Sequence, residues 1–86
     1  MKVLDFYADW CNPCKALAPV LDKVLEEKKL NLTKINIEED DADMSVKYNV
    51  RNIPTVVVVD DNDNELKRFT GTMTETDLNK FFDELF

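Results

Sequence analysis

The sequence contains no histidine, one glycine, three prolines and only two cysteines among its 86 residues. A structural zinc site usually takes four cysteine or histidine ligands, so this inventory argues against bound metal. Basic residues are also scarce, because 11 lysines and arginines stand against 18 aspartates and glutamates and give a net charge of −7. This balance argues against a protein that binds nucleic acid or an anionic membrane.

Long apolar runs are missing as well, since no stretch approaches the roughly 20 residues of a membrane span. The chain starts with a strand-like segment, and we expect neither a signal peptide nor a membrane anchor. A chain of 86 residues has room for one small domain, which we expect to occupy residues 1–86 as a monomer. A cytoplasmic location is the default expectation.

Apolar periodicity predicts the element order βαβαββα. Continuous apolar residues are typical of a strand buried on both faces, and alternating apolar and polar residues are typical of a strand buried on one face. A 3.6-residue period of apolar residues is typical of a helix. We expect Asp41 to cap the second helix and Thr74 the third. The predicted strands are 3–8, 32–36, 56–59 and 66–70, and the predicted helices are 14–28, 42–48 and the segment after 74.

This order predicts an α/β fold built on a mixed four-stranded sheet. A strand–helix–strand unit gives two parallel strands with a right-handed crossover, and the later hairpin adds two antiparallel strands. Helices then flank the sheet.

Both cysteines lie at the predicted junction between the first strand and the first helix, as Trp10-Cys11-Asn12-Pro13-Cys14. Such a pair can change between dithiol and disulfide. The unpaired amides and positive dipole at the helix start stabilise a thiolate at Cys11, so we expect Cys11 to be the nucleophile. Cys14, inside the first turn, is the expected resolving thiol. A disulfide that closes so short a loop would contribute little stability as a structural bond.

Segments spread over nearly the whole chain match a known pattern: Asp5 to Lys15, Pro19, Lys34 to Asn36, Lys47 to Thr55 and Gly71. Through these segments the chain resembles the thioredoxin family, and the resemblance implies a minimal thioredoxin-like fold. Two departures are notable. The family usually has another strand and helix before the first strand found here, and glycine is common where Asn12, Asn49 and Asn52 stand. Asparagine tolerates left-handed backbone best after glycine, so we expect the loop shapes to be kept.

The resemblance also implies roles for two charged residues. Asp5 would lie beneath Cys14 and act as its base, and burial would raise the pKa of this carboxyl. Lys34 on the adjacent strand would tune Asp5.

A substrate-docking surface is implied beside the cysteines, with a cis peptide bond between Ile53 and Pro54. The substrate would pair with the backbone there as an added strand does. The residues implied at this surface are Trp10, Asn12, Pro13, Asn52, Ile53, Pro54, Gly71 and Thr72.

The implied function is a dithiol–disulfide oxidoreductase that reduces protein disulfides in electron transport and cell redox homeostasis. It would bind no cofactor and take electrons from thioredoxin reductase, an NADPH-dependent flavoprotein. Its substrates would be disulfide-containing proteins such as ribonucleotide reductase.

Two alternatives stay open at this point. The short length suits a glutaredoxin-like protein recycled by glutathione, although the Asn12-Pro13 pair, Trp10 and Asp5 oppose it. The other alternative is a binding subunit of a larger enzyme that does not use its thiols.

Overall fold

The element order found in the computed structural model, which describes residues 1–85, is the predicted one. Phe86, the last residue of the expected domain, lies outside the described residues. The second helix is shorter than predicted, and a 3₁₀ turn that was not predicted follows the second strand directly. The elements are β1 (Lys2–Tyr7), α1 (Asn12–Lys28), β2 (Asn31–Asn36), a 3₁₀ turn (Ile37–Glu39), α2 (Met44–Lys47), β3 (Thr55–Val59), β4 (Glu65–Thr70) and α3 (Glu75–Asp83).

The four strands form one mixed sheet in the order β2-β1-β3-β4. β1 pairs with β2 in parallel and with β3 in antiparallel register, and β3 and β4 form the hairpin. Asp5 on β1 is the partner of Lys34 on one side and of Val56 on the other. The central position of β1 explains its continuous apolar sequence, because it has strand neighbours on both sides and side chains packed on both faces.

Side chains of β1 alternate between two hydrophobic clusters on opposite faces of the sheet. Val3 packs with residues of α1 and α3, whereas Leu4 and Phe6 pack with Tyr48 after α2. The two-residue period of a strand therefore puts Asp5 on the Val3 face, under α1. This alternation brings a carboxyl beneath the helix that carries the cysteines.

The cap expected for the second helix is wrong. The carboxylate of Asp40, not that of Asp41, accepts hydrogen bonds from the backbone amides of Met44 at 2.9 Å and Ser45 at 2.8 Å. Asp41 is exposed. The shorter helix causes this difference, because its free amides begin at Met44 and Asp40 lies in the turn before them. The Thr74 cap is confirmed, since its hydroxyl accepts a hydrogen bond from the amide of Asp77 at 3.2 Å.

Only one of the three asparagines at common glycine positions has left-handed backbone. Asn49 has a φ of 54°, where asparagine is tolerated, and Gly71 has a φ of 93°. Asn12 lies in the first turn of α1, and neither it nor Asn52 has a positive φ. The expected glycine-like conformation is therefore found at Asn49 alone.

Candidate active site

Cys11 is the residue that caps the N-terminus of α1, and Cys14 lies in the first turn of that helix. They form a disulfide with a Cα–Cα distance of 5.2 Å. The amide of Cys14 donates a hydrogen bond to the sulfur of Cys11 at 3.2 Å. Pro13 fits this first turn because an amide there has no partner within the helix. The sulfur of Cys11 therefore occupies the place of a capping oxygen.

The two cysteines are almost equally buried in this disulfide form, with exposed fractions of 5% and 6%. They pack with Ala8, Tyr7 and Ile53. Burial of the whole residue therefore does not distinguish them. Their places in the helix do, because the unpaired amides and the positive end of the dipole favour negative charge on Cys11.

On the face of the sheet that α1 covers, Asp5 is 5% exposed and its Oδ1 atom has no hydrogen-bond partner among residues 1–85. Burial raises the pKa of this carboxyl from 3.8 to about 6, and the nearby charge of Lys34 opposes the rise. The direction agrees with the effect expected of burial. Asp5 and Cys14 line the same pocket, which has a volume of about 200 Å³. The two groups thus share one partly enclosed space.

Lys34 lines this pocket too, but its ammonium is paired elsewhere. Its Nζ atom lies 3.2 Å from Oδ2 of Asp22 on α1. The sequence interpretation linked Lys34 to Asp5 and missed Asp22. A signal was present, since Asp22 follows Cys14 by eight residues and therefore lies near the same face of the helix.

One of the expected docking residues, Ile53, packs against the two cysteines. Trp10 is 63% exposed, and it lines a groove of about 310 Å³ together with Ile53. The sequence interpretation missed four further residues of this groove, which come from the 3₁₀ turn, from α2 and from the segment after α2 and carried no local signal: Ile37, Ser45, Val50 and Arg51.

Ile53 and Pro54 are joined by a cis peptide bond, as expected. Pro54 is buried, and its carbonyl accepts a hydrogen bond from the amide of Gly71 at 2.8 Å. This bond ties the segment before β3 to the end of the hairpin. The other expected docking residues are exposed: Asn12, Pro13, Asn52 and Thr72.

Residues 1–85 contain no group of three or more histidine, cysteine, aspartate or glutamate side chains placed to hold a metal ion. Of the helices described, none has both the length and the apolar character needed to cross a membrane.

Comparison with known proteins gives one consistent result. The thioredoxin family model matches residues 1–84. The chain is 39% identical over 84 residues to a thioredoxin of Buchnera aphidicola subsp. Acyrthosiphon pisum, covering 95% of this chain and 76% of that protein. It is 40% identical over 83 residues to a thioredoxin of Pseudomonas aeruginosa, with coverage of 94% and 75%.

Solved structures agree with the sequence relatives. A mutant thioredoxin from Halobacterium salinarum superposes with a TM-score of 0.84 at 33% identity, covering 95% of this chain and 71% of that one. Thioredoxin 1 from Thermosipho africanus has a TM-score of 0.85 at 24% identity, with coverage of 99% and 93%, and supports the fold.

Proposed function

The chain belongs to the thioredoxin family and is a dithiol–disulfide oxidoreductase, and we propose that Cys11 is its attacking thiolate and Cys14 its resolving thiol. One observation carries this assignment: the sulfur of Cys11 accepts a hydrogen bond from the backbone amide of Cys14 at the start of α1. A hydrogen bond to an ionised sulfur and the helix dipole both stabilise the thiolate and lower its pKa. Cys14 lies within the first turn and next to the Asp5 pocket.

The reaction that we propose has two exchange steps. The Cys11 thiolate attacks one sulfur of a substrate disulfide, so a mixed disulfide forms and the other substrate sulfur leaves as a thiolate. Cys14 then loses its proton and attacks the sulfur of Cys11. The mixed disulfide breaks, the second substrate thiolate leaves, and the two electrons of the dithiol have passed to the substrate. The protein is left with its Cys11–Cys14 disulfide.

Asp5 is proposed as the base that receives the proton of Cys14. A pKa of about 6 suits this task, because the carboxylate is largely ionised at neutral pH and still basic enough to accept a proton. The shared pocket gives the two groups a path for the transfer. Lys34 opposes the effect of burial and so sets how far the pKa of Asp5 rises.

The exposed surface around Trp10 is the proposed docking site for protein substrates. An exposed tryptophan beside a groove is a frequent anchor of protein interfaces. The extended segment of the substrate would pair with the backbone near Ile53 and Pro54. The remaining residues proposed for this surface are Asn12, Pro13, Asn52, Gly71 and Thr72.

We further propose that thioredoxin reductase, an NADPH-dependent flavoprotein, returns electrons to the disulfide. The substrates would be disulfide-containing proteins such as ribonucleotide reductase. A reductant of this kind requires a compartment in which thiols are kept reduced, which supports a cytoplasmic location. The domain of residues 1–86 would act as a monomer.

A coupled assay tests this proposal. NADPH consumption is measured with thioredoxin reductase, this protein and insulin as the disulfide substrate, and is repeated with glutathione reductase and glutathione. We expect turnover with thioredoxin reductase. Turnover with glutathione alone would instead favour the glutaredoxin-like alternative. A Cys11→Ser, Cys14→Ser double variant that keeps full biological activity would favour a binding subunit.

A further inference from the structure

Asp22 lies at one end of the row of side chains that runs along α1 from Cys14. The row is Cys14, Ala18 and Asp22, and its four-residue spacing keeps the three near one face of the helix. Cys14 and Ala18 both line the pocket that contains Asp5 and Lys34. Asp22 reaches this group through its ion pair with Lys34, in which Nζ and Oδ2 lie 3.2 Å apart.

The strand register places a second carboxyl, that of Asp5, on the residue paired with Lys34. Asp5 and Lys34 are direct partners on β1 and β2, and both line the pocket. The only ion pair of Lys34 among the described residues is nevertheless with Asp22. Oδ1 of Asp5 is buried without a hydrogen-bond partner in the same described region. Lys34 thus forms its ion pair with the half-exposed carboxylate of Asp22 and not with the buried carboxyl of Asp5.

We propose that Asp22 is a positioning residue, which holds the Lys34 ammonium in an ion pair and thereby withholds it from the buried carboxyl of Asp5. This inference deepens the proposed function, since it rests on Asp5 as the base for Cys14. An ion pair presents a much weaker field to a third charge than a free ammonium does, because the two charges largely cancel. Burial therefore remains the largest influence on the pKa of Asp5 and favours its protonated form, and Lys34 offsets it only in part.

The surrounding elements leave few other groups that could act on Asp5. The end of β1 contributes Tyr7 to the pocket, the turn after it contributes Asp9, and α1 contributes Lys15 besides Cys14 and Ala18. β3, on the other side of β1, carries only threonine and valine. Asp22 raises the pKa of Asp5 and Lys34 lowers it, as their charges require.

The test is an NMR titration of the Asp5 carboxyl in the oxidised protein, where the cysteines do not titrate. In Asp22→Asn we expect the midpoint to fall by about half a pH unit or more, because the like charge is lost and Lys34 is free to approach Asp5. Glu26→Gln is the matched control. It removes the same charge one turn further along α1, where the side chain is exposed, and should leave the midpoint in place.

A double-variant cycle separates positioning from a simple charge effect. We expect Asp22→Asn to lower the midpoint less in a Lys34→Gln background than in the natural protein, because no ammonium is then released. An equal fall in both backgrounds would show that Asp22 acts only by its own charge and would overturn the inference.

The rate of mixed-disulfide resolution against pH then separates this inference from the proposed function. If Asp22→Asn moves both the titration and the rate profile to lower pH, the positioning role and the base role both stand. If the titration moves and the rate profile does not, Asp22 still positions Lys34, and Asp5 is not the base for Cys14.

Discussion

The backbone amide of Cys14 donates a hydrogen bond to the sulfur of Cys11 over 3.2 Å, at the start of the helix that both residues belong to. The backbone N–H group of Cys14 thus stabilises negative charge on the sulfur of Cys11. The arrangement is asymmetric, because the amide of Cys11 bonds instead to the carbonyl of Ala8 at 3.1 Å. We expect the two thiols to differ for this reason, although the two residues are almost equally buried in the disulfide form.

Replacing each cysteine should therefore have a different result. Cys11→Ser should abolish insulin reduction, because a serine hydroxyl is not ionised at neutral pH and cannot attack the disulfide. Cys14→Ser should still attack, but it should accumulate mixed disulfides that mass spectrometry detects, because no resolving thiol remains. Mapping of alkylated cysteines in the reduced natural protein is the control. Faster alkylation of Cys14 than of Cys11 near neutral pH would reverse the assignment.

Asp5→Asn should slow the resolving step. Asparagine has a similar shape but cannot accept the proton of Cys14, so we expect resolution near pH 7 to slow about tenfold or more. The dependence of the rate on ionisation near pH 6 should disappear as well. Stopped-flow measurement of mixed-disulfide breakdown tests both effects. An unchanged rate at neutral pH would remove Asp5 from the mechanism.

The same variant should be more stable than the natural protein at neutral pH. The pKa of Asp5 is raised from 3.8 to about 6 in the folded state, so folding favours the protonated carboxyl. The stabilising contribution of Asp5 is complete below about pH 4, where the carboxyl is protonated, and is lost as the pH rises through about 6. Asp5→Asn should therefore gain about 2–3 kcal/mol at pH 7.5 and little at pH 4.

Urea unfolding at these two pH values measures this difference. Asp61→Asn is the matched control, because that carboxyl is exposed in the hairpin loop and should show no such gain near pH 7.5. A gain of the same size at pH 4 and pH 7.5 would contradict burial of a charged carboxylate as the cause.

Trp10→Ala should weaken docking without weakening the fold. The indole is 63% exposed, so its removal takes little from the core. We expect kcat/KM for insulin to fall about tenfold, as for an interface anchor, and turnover of a small aromatic disulfide to change much less. Leu66→Ala is the control, because this exposed residue lies on β4 toward the Val59 end of the hairpin, away from Thr55 and the disulfide. Equal losses with both substrates would argue against a docking role.

Asp40→Ala should destabilise the protein and Asp41→Ala should not. The carboxylate of Asp40 accepts hydrogen bonds from two backbone amides at the start of α2. Loss of such a cap lowers the free energy of unfolding by about 1 kcal/mol. Hydrogen bonds, above all from the amide of Ser45, lower the pKa of Asp40, so its contribution should fade as the pH falls through that lowered pKa. Thermal unfolding at neutral pH compares the two variants. Equal Tm values would mean that the cap contributes nothing.

Local pattern was sufficient to predict the helices, the strands and the redox pair. The continuous apolar run of β1 requires a central strand, and Pro13 beside the cysteines marks a helix start. These features depend on neighbours within a few residues along the chain. The residue that caps α2 was not predictable in this way, because several aspartates precede the helix. Which of them accepts the free amides depends on the residue at which the helix begins.

The sequence by itself determined the order of elements and the sulfur at the helix terminus, since both follow from residue spacing and backbone hydrogen bonding, whereas the burial of Asp5 was an expectation that the family resemblance implied. Only the tertiary structure decided which charge Lys34 binds and which loops enclose the groove beside Trp10. The reason is geometric. Asp5, Asp22 and Lys34 belong to three different elements, and their distances exist only once α1 has packed across the sheet.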